Sequence, residues 1–186
     1  DLALSTSSSS ENCYSLKGSH LSTASDLSYI TLPSGFDLTG VNSTGVTFSN
    51  INISNTKGLS VQMLNNANST LRDIILPAGF DMTGFNASGK KLINIDLSNT
   101  TNLNPTSFNG ATELENVTLP PNYNLTGLVT TGMVLEDMDF SNTSALTIQM
   151  LNDATLSGDI KLPDGFDVTG LDLTGAIIST DFTSTV

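Results

Sequence analysis

Apolar residues in this chain recur neither every 3.6 positions, as on a helix face, nor at every second position, as along a plain strand. They come in fives. FDLTG VNSTG VTFSN INISN fills residues 36–55, FDMTG FNASG KKLIN IDLSN fills 80–99, and YNLTG LVTTG MVLED MDFSN fills 123–142. A fourth copy, FDVTG LDLTG AIIST, begins at Phe166 and decays towards the C-terminus. In each pentad the first and third positions tend to be apolar, the second is often Asp or Asn, and the last two are small or polar. Period five fits a square coil in which each pentad forms one side and turns one corner. Two inward residues per side then fill the core, and Ser, Thr, Gly and Asn suit the corners because they tolerate turn geometry.

The pentads belong to a longer repeat. LPSGFDLTG, LPAGFDMTG, LPPNYNLTG and LPDGFDVTG start at Leu32, Leu76, Leu119 and Leu162, in steps of 44, 43 and 43 residues. Self-similarity at such a period marks a repeat architecture. Between the pentad runs lies a stretch of 23 or 24 residues with its own pattern. Its fullest copy has apolar anchors at Leu103, Phe108, Ala111, Leu114, Val117 and Leu119. Matching sets are Leu16, Leu21, Ala24, Leu27, Ile30 and Leu32, and Leu59, Leu64, Ala67, Leu71, Ile74 and Leu76, the latter with one residue inserted after Ala67. A further copy keeps Leu146, Leu151, Ala154, Ile160 and Leu162, with Ser157 in place of the expected leucine.

The pentads resemble the pentapeptide-repeat family, with its A(D/N)LXX pattern and inward-pointing Leu. Phe36-Asp37-Leu38, Ile51-Asn52-Ile53, Phe80-Asp81-Met82, Ile95-Asp96-Leu97, Met138-Asp139-Phe140 and Leu171-Asp172-Leu173 carry the likeness, although large side chains stand where that family has Ala. The intervening stretches are similar to BspA-type leucine-rich repeats. The two resemblances together imply an all-β, right-handed parallel β-solenoid of about eight coils, about 38 Å long at ~4.8 Å per coil. In that fold residues 117–119 form a short strand and 108–111 a tight helical turn. Phe36, Phe80, Tyr123 and Phe166 stack in the core. Residues 1–11 form a Ser-rich N-terminal segment and 12–186 a single solenoid domain, with units near 12–55, 56–99, 100–142 and 143–186.

Composition narrows the function. The chain has 186 residues, 18 acidic against 6 basic, so it is a poor match for nucleic acid and no direct nucleic-acid binding is expected. No apolar run approaches the ~20 residues of a membrane-spanning helix, so no membrane span is expected. A single Cys13 and a single His20 leave neither a disulfide framework nor a His-rich metal centre. His20 is expected at the surface, and Cys13 takes a corner position held later by Thr56, Thr100 and Thr143. No hydrolase, zinc-protease, phosphate-loop or dinucleotide signature occurs, so no catalytic residue, cofactor or metal is assigned.

Acidity is uneven. Residues 94–186 hold 12 of the acids and only Lys161 as a base. Glu136, Asp137 and Asp139, and separately Glu113 and Glu115, are conceivable calcium ligands, but six to eight oxygens in a shaped loop are needed and no such spacing appears. Eight sequons, at Asn42, Asn52, Asn68, Asn86, Asn99, Asn116, Asn124 and Asn142, fall into phase with the repeat, in a chain with 24 Ser, 25 Thr and 19 Asn.

These features point to a non-catalytic structural or interaction module of a secreted or surface protein, with protein partners. The other copies of itself are candidate partners, end to end. The apolar phase continues through Leu171, Leu173, Ile177 and Phe182 without cap residues, and the Ser-rich leader carries Leu2 and Leu4. Strand addition between these two ends would make a filament. The alternative is an acidic protein that mimics DNA towards a topoisomerase or another nucleic-acid-binding partner in the cytoplasm, as some pentapeptide-repeat proteins do.

Overall fold

The computed structural model describes residues 18–172 and the backbone of 177 and 178. Among them strands predominate and helix is scarce. The strands are β1 (Phe48–Asn52), β2 (Thr70–Ile75), β3 (Lys91–Ile93), β4 (Glu113–Glu115), β5 (Tyr123–Asn124), β6 (Val134–Glu136), β7 (Thr143–Ser144), β8 (Thr155–Gly158) and β9 (Ile177–Ile178). Six of them form a parallel sheet in the order β1-β2-β3-β4-β6-β8, extended by the two-residue β9. β5 and β7 form a second parallel pair. The chain therefore comes back beside itself once per strand. Phe48 lies beside Leu71, Leu71 beside Leu92, Leu92 beside Leu114, Leu114 beside Leu135, and Leu135 beside Leu156. Isolated parallel bridges repeat the same return elsewhere, as at Asp37 with Lys57, Asp81 with Thr101 and Asp139 with Lys161.

The ladder Phe48, Leu71, Leu92, Leu114, Leu135 and Leu156 is buried throughout. Three residues further along, Ile51, Ile74, Ile95, Val117 and Met138 form a second buried row. Two side chains three apart face the same way only if the backbone bends between them. The residue that bends it is Asn50, Asp73, Asn94, Asn116 or Asp137, each with φ between 48° and 54°. Asn and Asp are the non-glycine residues that best tolerate this left-handed region. The five-residue period thus arises from an extended pair, a turn, and a left-handed fifth position.

First and third pentad positions supply the core, as the period requires. In the three runs from Phe36, Phe80 and Tyr123 all of them are buried except Val41 and Phe80. The expected aromatic stack is only partly internal: Phe36 and Tyr123 are buried, whereas Phe80 and Phe166 are half-buried against the core. Each ring follows a tight Leu-Pro turn whose proline carbonyl accepts its N–H, at 3.1 Å for Phe80 and 3.0 Å for Phe166. The same bond precedes the buried Phe36 and Tyr123, so the turn sets where the ring starts and not how deep it goes; the third position behind it (Leu38, Met82, Leu125) goes deepest.

The longer stretches depart further from expectation. Their strand is Glu113–Glu115 rather than 117–119, and the helical turn is Pro105–Phe108, ending where it was expected to begin. The equivalent turn in the first copy is the four-residue 3-10 turn Gly18–Leu21, and those in the other two lengthen to six-residue helices, α1 (Val61–Asn66) and α2 (Ile148–Asp153). Nor is the leucine lost in the last copy, because Leu156 occupies the ladder beside Leu135 and the connection from Ala154 is merely shorter. Where one residue is inserted after Ala67, Lys90 takes the inward position that Val46 and Met133 hold in the sister runs. Its Nζ donates to the carbonyls of Ala67 and Asn68 at 2.8 and 3.0 Å, capping groups that the insertion pulls out of register.

The helical turns accept backbone N–H groups from one neighbouring pentad run, Gly45 to Asn66 O, Ala87 to Ser107 O and Gly132 to Asp153 O, and one asparagine side chain per unit adds a further link to a pentad run. Asn65 Nδ2 donates to Gly84 O at 2.9 Å, while its Oδ1 accepts from Asn86 N–H at 2.9 Å. Asn109 does the same with Gly127 and Val129, and Asn152 with Gly170 and Asp172. The side-chain amide acts here as a peptide group lent to the ladder.

Two substitutions test the core. Met82→Ala is expected to lower stability by about 2–5 kcal/mol, the usual cost of truncating a fully buried Met, and Phe80→Ala by clearly less; equal losses in denaturant titrations would refute the half-buried placement of Phe80. The Tyr123 hydroxyl is buried with no hydrogen-bond partner, and desolvation raises its pKa far above the ordinary tyrosine value. Tyr123→Phe, the residue found in the three sister positions, should raise stability by about 1–3 kcal/mol, the penalty of a buried unpaired polar group; a loss on this substitution would show that the hydroxyl has a partner.

Candidate functional site

Two features of the surface stand out, an acidic patch on the outer side of the parallel sheet and a set of repeated grooves. In β4 Leu114 points inward, so Glu113 and Glu115 point out. The register sets Lys91 beside Glu113, and Glu115 beside Glu136. The first neighbours attract and form an ion pair; the second repel. Arg72 reaches Glu115 from two strands away, at 4.0 Å. Oxygens of Glu113, Glu115 and Glu136 lie within 4.8 Å of one another. Burial chiefly raises the Glu115 pKa; Arg72 opposes this, and Glu136, Glu113 and Asp137 reinforce it. The cluster brings together one oxygen from each of three carboxylates, against the six to eight oxygens that calcium takes.

The structure regroups the acids picked out by sequence. Glu113 and Glu115 meet Glu136, whereas Asp139 is engaged elsewhere: Oδ1 accepts from Ser141 N–H and hydroxyl, and Oδ2 pairs with Lys161. Burial alone would raise its pKa, but the hydrogen bonds from Ser141 and Lys161 outweigh this and leave it below the usual carboxylate value.

Asp139 is one of a large class. At Asp26, Asp37, Asn42, Asn52, Asn68, Asp81, Asn86, Asp96, Asn104, Asn124, Asp139 and Asp167 the side-chain Oδ1 accepts the N–H of the residue two further on. These Asx turns account for most of the sequons. Asp and Asn alternate freely at equivalent sites, as in Asp37, Asp81, Asn124 and Asp167, although Asp cannot carry an N-linked glycan. The Asn/Asp-x-Ser/Thr pattern is therefore a turn signature. Three of its acids are held low by these bonds: the Thr83 hydroxyl and N–H, with Asn102, hold Asp81 below the usual range, and Ser28 and Thr169 do so for Asp26 and Asp167.

The grooves were not foreseen. Three of them, of about 320, 510 and 560 Å³, recur once per unit. One side of each is a Leu-Pro segment, Leu32-Pro33, Leu76-Pro77 or Leu119-Pro120. The other is a four-residue polar set from the following pentad run: Asn50, Asn52, Asn55 and Thr56; Asn94, Asp96, Asn99 and Thr100; Asp137, Asp139, Asn142 and Thr143. The sequence signal was present in the Asn-Thr pair closing each run, but it reads equally as a corner.

Of the residues expected at an assembly interface, Leu171 is half-buried against the core of its own chain, and the backbone of Ile177 pairs with Ser157. Leu2, Leu4, Leu173 and Phe182, with Cys13, lie outside the described residues. His20 is exposed in the 3-10 turn Gly18–Leu21, as expected. Among the described residues no helix is long and apolar enough to cross a membrane. No family model, curated protein or solved structure matches this chain.

The acidic patch makes a pH prediction with a definite sign. A folded-state pKa raised above the unfolded 4.5 means that the native chain holds the Glu115 proton more tightly, so ionising it costs stability as pH rises through the raised value. Glu115→Gln should therefore raise the melting temperature near pH 7, and the gain should vanish below about pH 4.5. A variant that melts lower at neutral pH would show that the Arg72 pairing dominates.

Proposed function

We propose that the chain is a right-handed parallel β-solenoid in which pentapeptide-like coils of 20 residues alternate with BspA-like coils of about 23, and that it serves as a non-catalytic structural and interaction module of a secreted or surface protein, associating end to end with further copies. The observation that carries this reading is the regular return of the chain beside itself. The Asn- and Asp-mediated contacts join residues about one coil apart, at separations such as 20, 21 and 22 residues, and the buried ladder from Phe48 to Leu156 runs through the same returns. An array of this kind offers a long periodic surface on which further copies or other protein partners can dock. The Asp and Asn residues that could support chemistry are largely engaged in their own turns, which favours a scaffold over an enzyme.

Two measurements test the two parts. Spin labels at exposed Thr39 paired with Thr83 or with Thr126 should lie about 10 and about 19 Å apart, two and four strand spacings; separations that do not grow by equal steps would break the solenoid. In sedimentation, species should lengthen with concentration beyond the 19.5 kDa monomer. A chain that stays monomeric at millimolar concentration would end the filament reading and leave the solenoid untouched.

A further inference from the structure

We infer that the three repeated grooves form one extended binding site for a neutral, hydroxyl-rich polymer, that is, an uncharged polysaccharide. The argument starts from what the grooves share and what they do not. Charge is not shared. The first is lined by no charged side chain, the second by Asp73 and Asp96, and the third by Asp137, Asp139, Asp159 and Lys161. An anionic ligand would be repelled from the third groove, and a cationic one would find nothing to pair with in the first. What persists is a layout of hydrogen-bonding groups: an Asn or Asp with φ near 50° (Asn50, Asn94, Asp137), a turn-forming Asn or Asp (Asn52, Asp96, Asp139), and an exposed Asn followed by Thr.

These groups are held in place before any ligand arrives. Asn52, Asp96 and Asp139 each commit Oδ1 to an N–H two residues on, at 3.0, 2.8 and 2.9 Å, which fixes the direction of the second polar atom in Asn52 and Asp96 and, in Asp139, holds it against Lys161. Thr56, Thr100 and Thr143 donate their hydroxyls to the carbonyls three residues back, at 2.8, 2.7 and 2.8 Å, so the loop carrying the preceding Asn is braced. Binding to such a surface loses little side-chain freedom. Opposite stands an apolar Leu-Pro edge, with Ile75 56% exposed in the second groove and Tyr29 79% exposed on the rim of the first. Tyr29 occupies the left-handed bend position held elsewhere by Asn50, Asp73 and Asn94, which turns its ring outward beside the groove. A pyranose ring offers the matching pair of surfaces, hydroxyls around its edge and an apolar C–H face.

Volumes of 320–560 Å³ suit a ligand of a few sugar rings per groove. Successive grooves lie two strands apart, about 10 Å, so one chain can engage all three, and weak single contacts become an appreciable joint affinity. The inference rests on the scaffold reading only in requiring the units to stack, and the spin-label distances check that stacking without reference to binding.

The test is affinity electrophoresis of the full chain in native gels containing soluble β-glucan, mannan or dextran, with anionic alginate as a control. Migration should slow at least twofold in one or more neutral gels and not in alginate. The variant Asn55→Ala, Asn99→Ala and Asn142→Ala removes exposed amides that make no hydrogen bond to another strand, and it should migrate in every gel as it does without polysaccharide. Should that variant melt early, Asn99→Ala alone, which alters one groove of three, must weaken retardation several-fold. No retardation in any neutral gel, retardation by alginate alone, or retardation unchanged in these variants would overturn the assignment.

Discussion

Everything in this molecule depends on how the chain turns without stranding its backbone. A parallel ladder satisfies N–H and C=O groups along the straight runs and at bends such as Asn94 and Asn116, but at many corners an N–H has no neighbouring strand to meet it, and unpaired buried groups are costly. Here the bend brings its own acceptor. An Asp or Asn oxygen takes the N–H two residues on, and a left-handed Gly, Asn or Asp completes the change of direction. Gly at the fifth pentad position (Gly40, Gly84, Gly127, Gly170, with φ of 80–91°) and Asn122 in the one Leu-Pro turn that lacks glycine obey the same demand. The abundance of Asn, Asp, Ser and Thr is thus a structural requirement, and much of the net negative charge follows from it.

That requirement explains why Asp and Asn exchange so freely, and why acidity can drift along the chain with little effect on the fold. At a turn only Oδ1 is used, so the second atom can be an amide or a carboxylate oxygen. Outward-facing strand positions are different. Glu115 and Glu136 are neighbours in register with no compensating base between them, and like charges directly opposite destabilise a sheet. Arg72 offers partial relief from two strands away. This is the one place among the described residues where charge and register conflict.

The repeat, the parallel all-strand character and the inward positions of the pentads were legible because each is a matter of period. Leu38, Met82 and Leu125 are buried where the third pentad position puts them. The longer stretches were read less well because their anchors are spaced irregularly. Between Ala and the ladder leucine lie three residues after Ala67, two after Ala111 and one after Ala154, and no fixed template aligns all three. Backbone stacking decides instead, as it did in seating Leu156 where Ser157 was expected. The bridging role of Asn65, Asn109 and Asn152 was invisible for another reason. Asparagine in a polar loop is unremarkable until the fold sets its side-chain amide beside the backbone of the next pentad run. The acidic cluster was half legible: its members were noticed, but register, not sequence proximity, joined Glu136 to Glu113 and Glu115 and sent Asp139 to Lys161.

The alternation of two repeat types has a consequence that neither type has alone. If all returns were of equal length, like residues would stack evenly and the outer surface would be smooth. The longer stretches take up their extra residues as helical turns and as Leu-Pro segments, and each Leu-Pro segment walls a groove against the following run. The surplus must then be tied down. Asn65, Asn109 and Asn152 do so on the helical side, Lys90 does so where the insertion is greatest, and on the Leu-Pro side Gly35 and Gly79 donate their N–H to the carbonyls of Asn55 and Asn99, each at 2.7 Å. Those last bonds fix the backbone of the very asparagines whose side chains are left exposed in the grooves. Relief on the surface and rigidity beneath it therefore have one cause, the mismatch in length between successive returns.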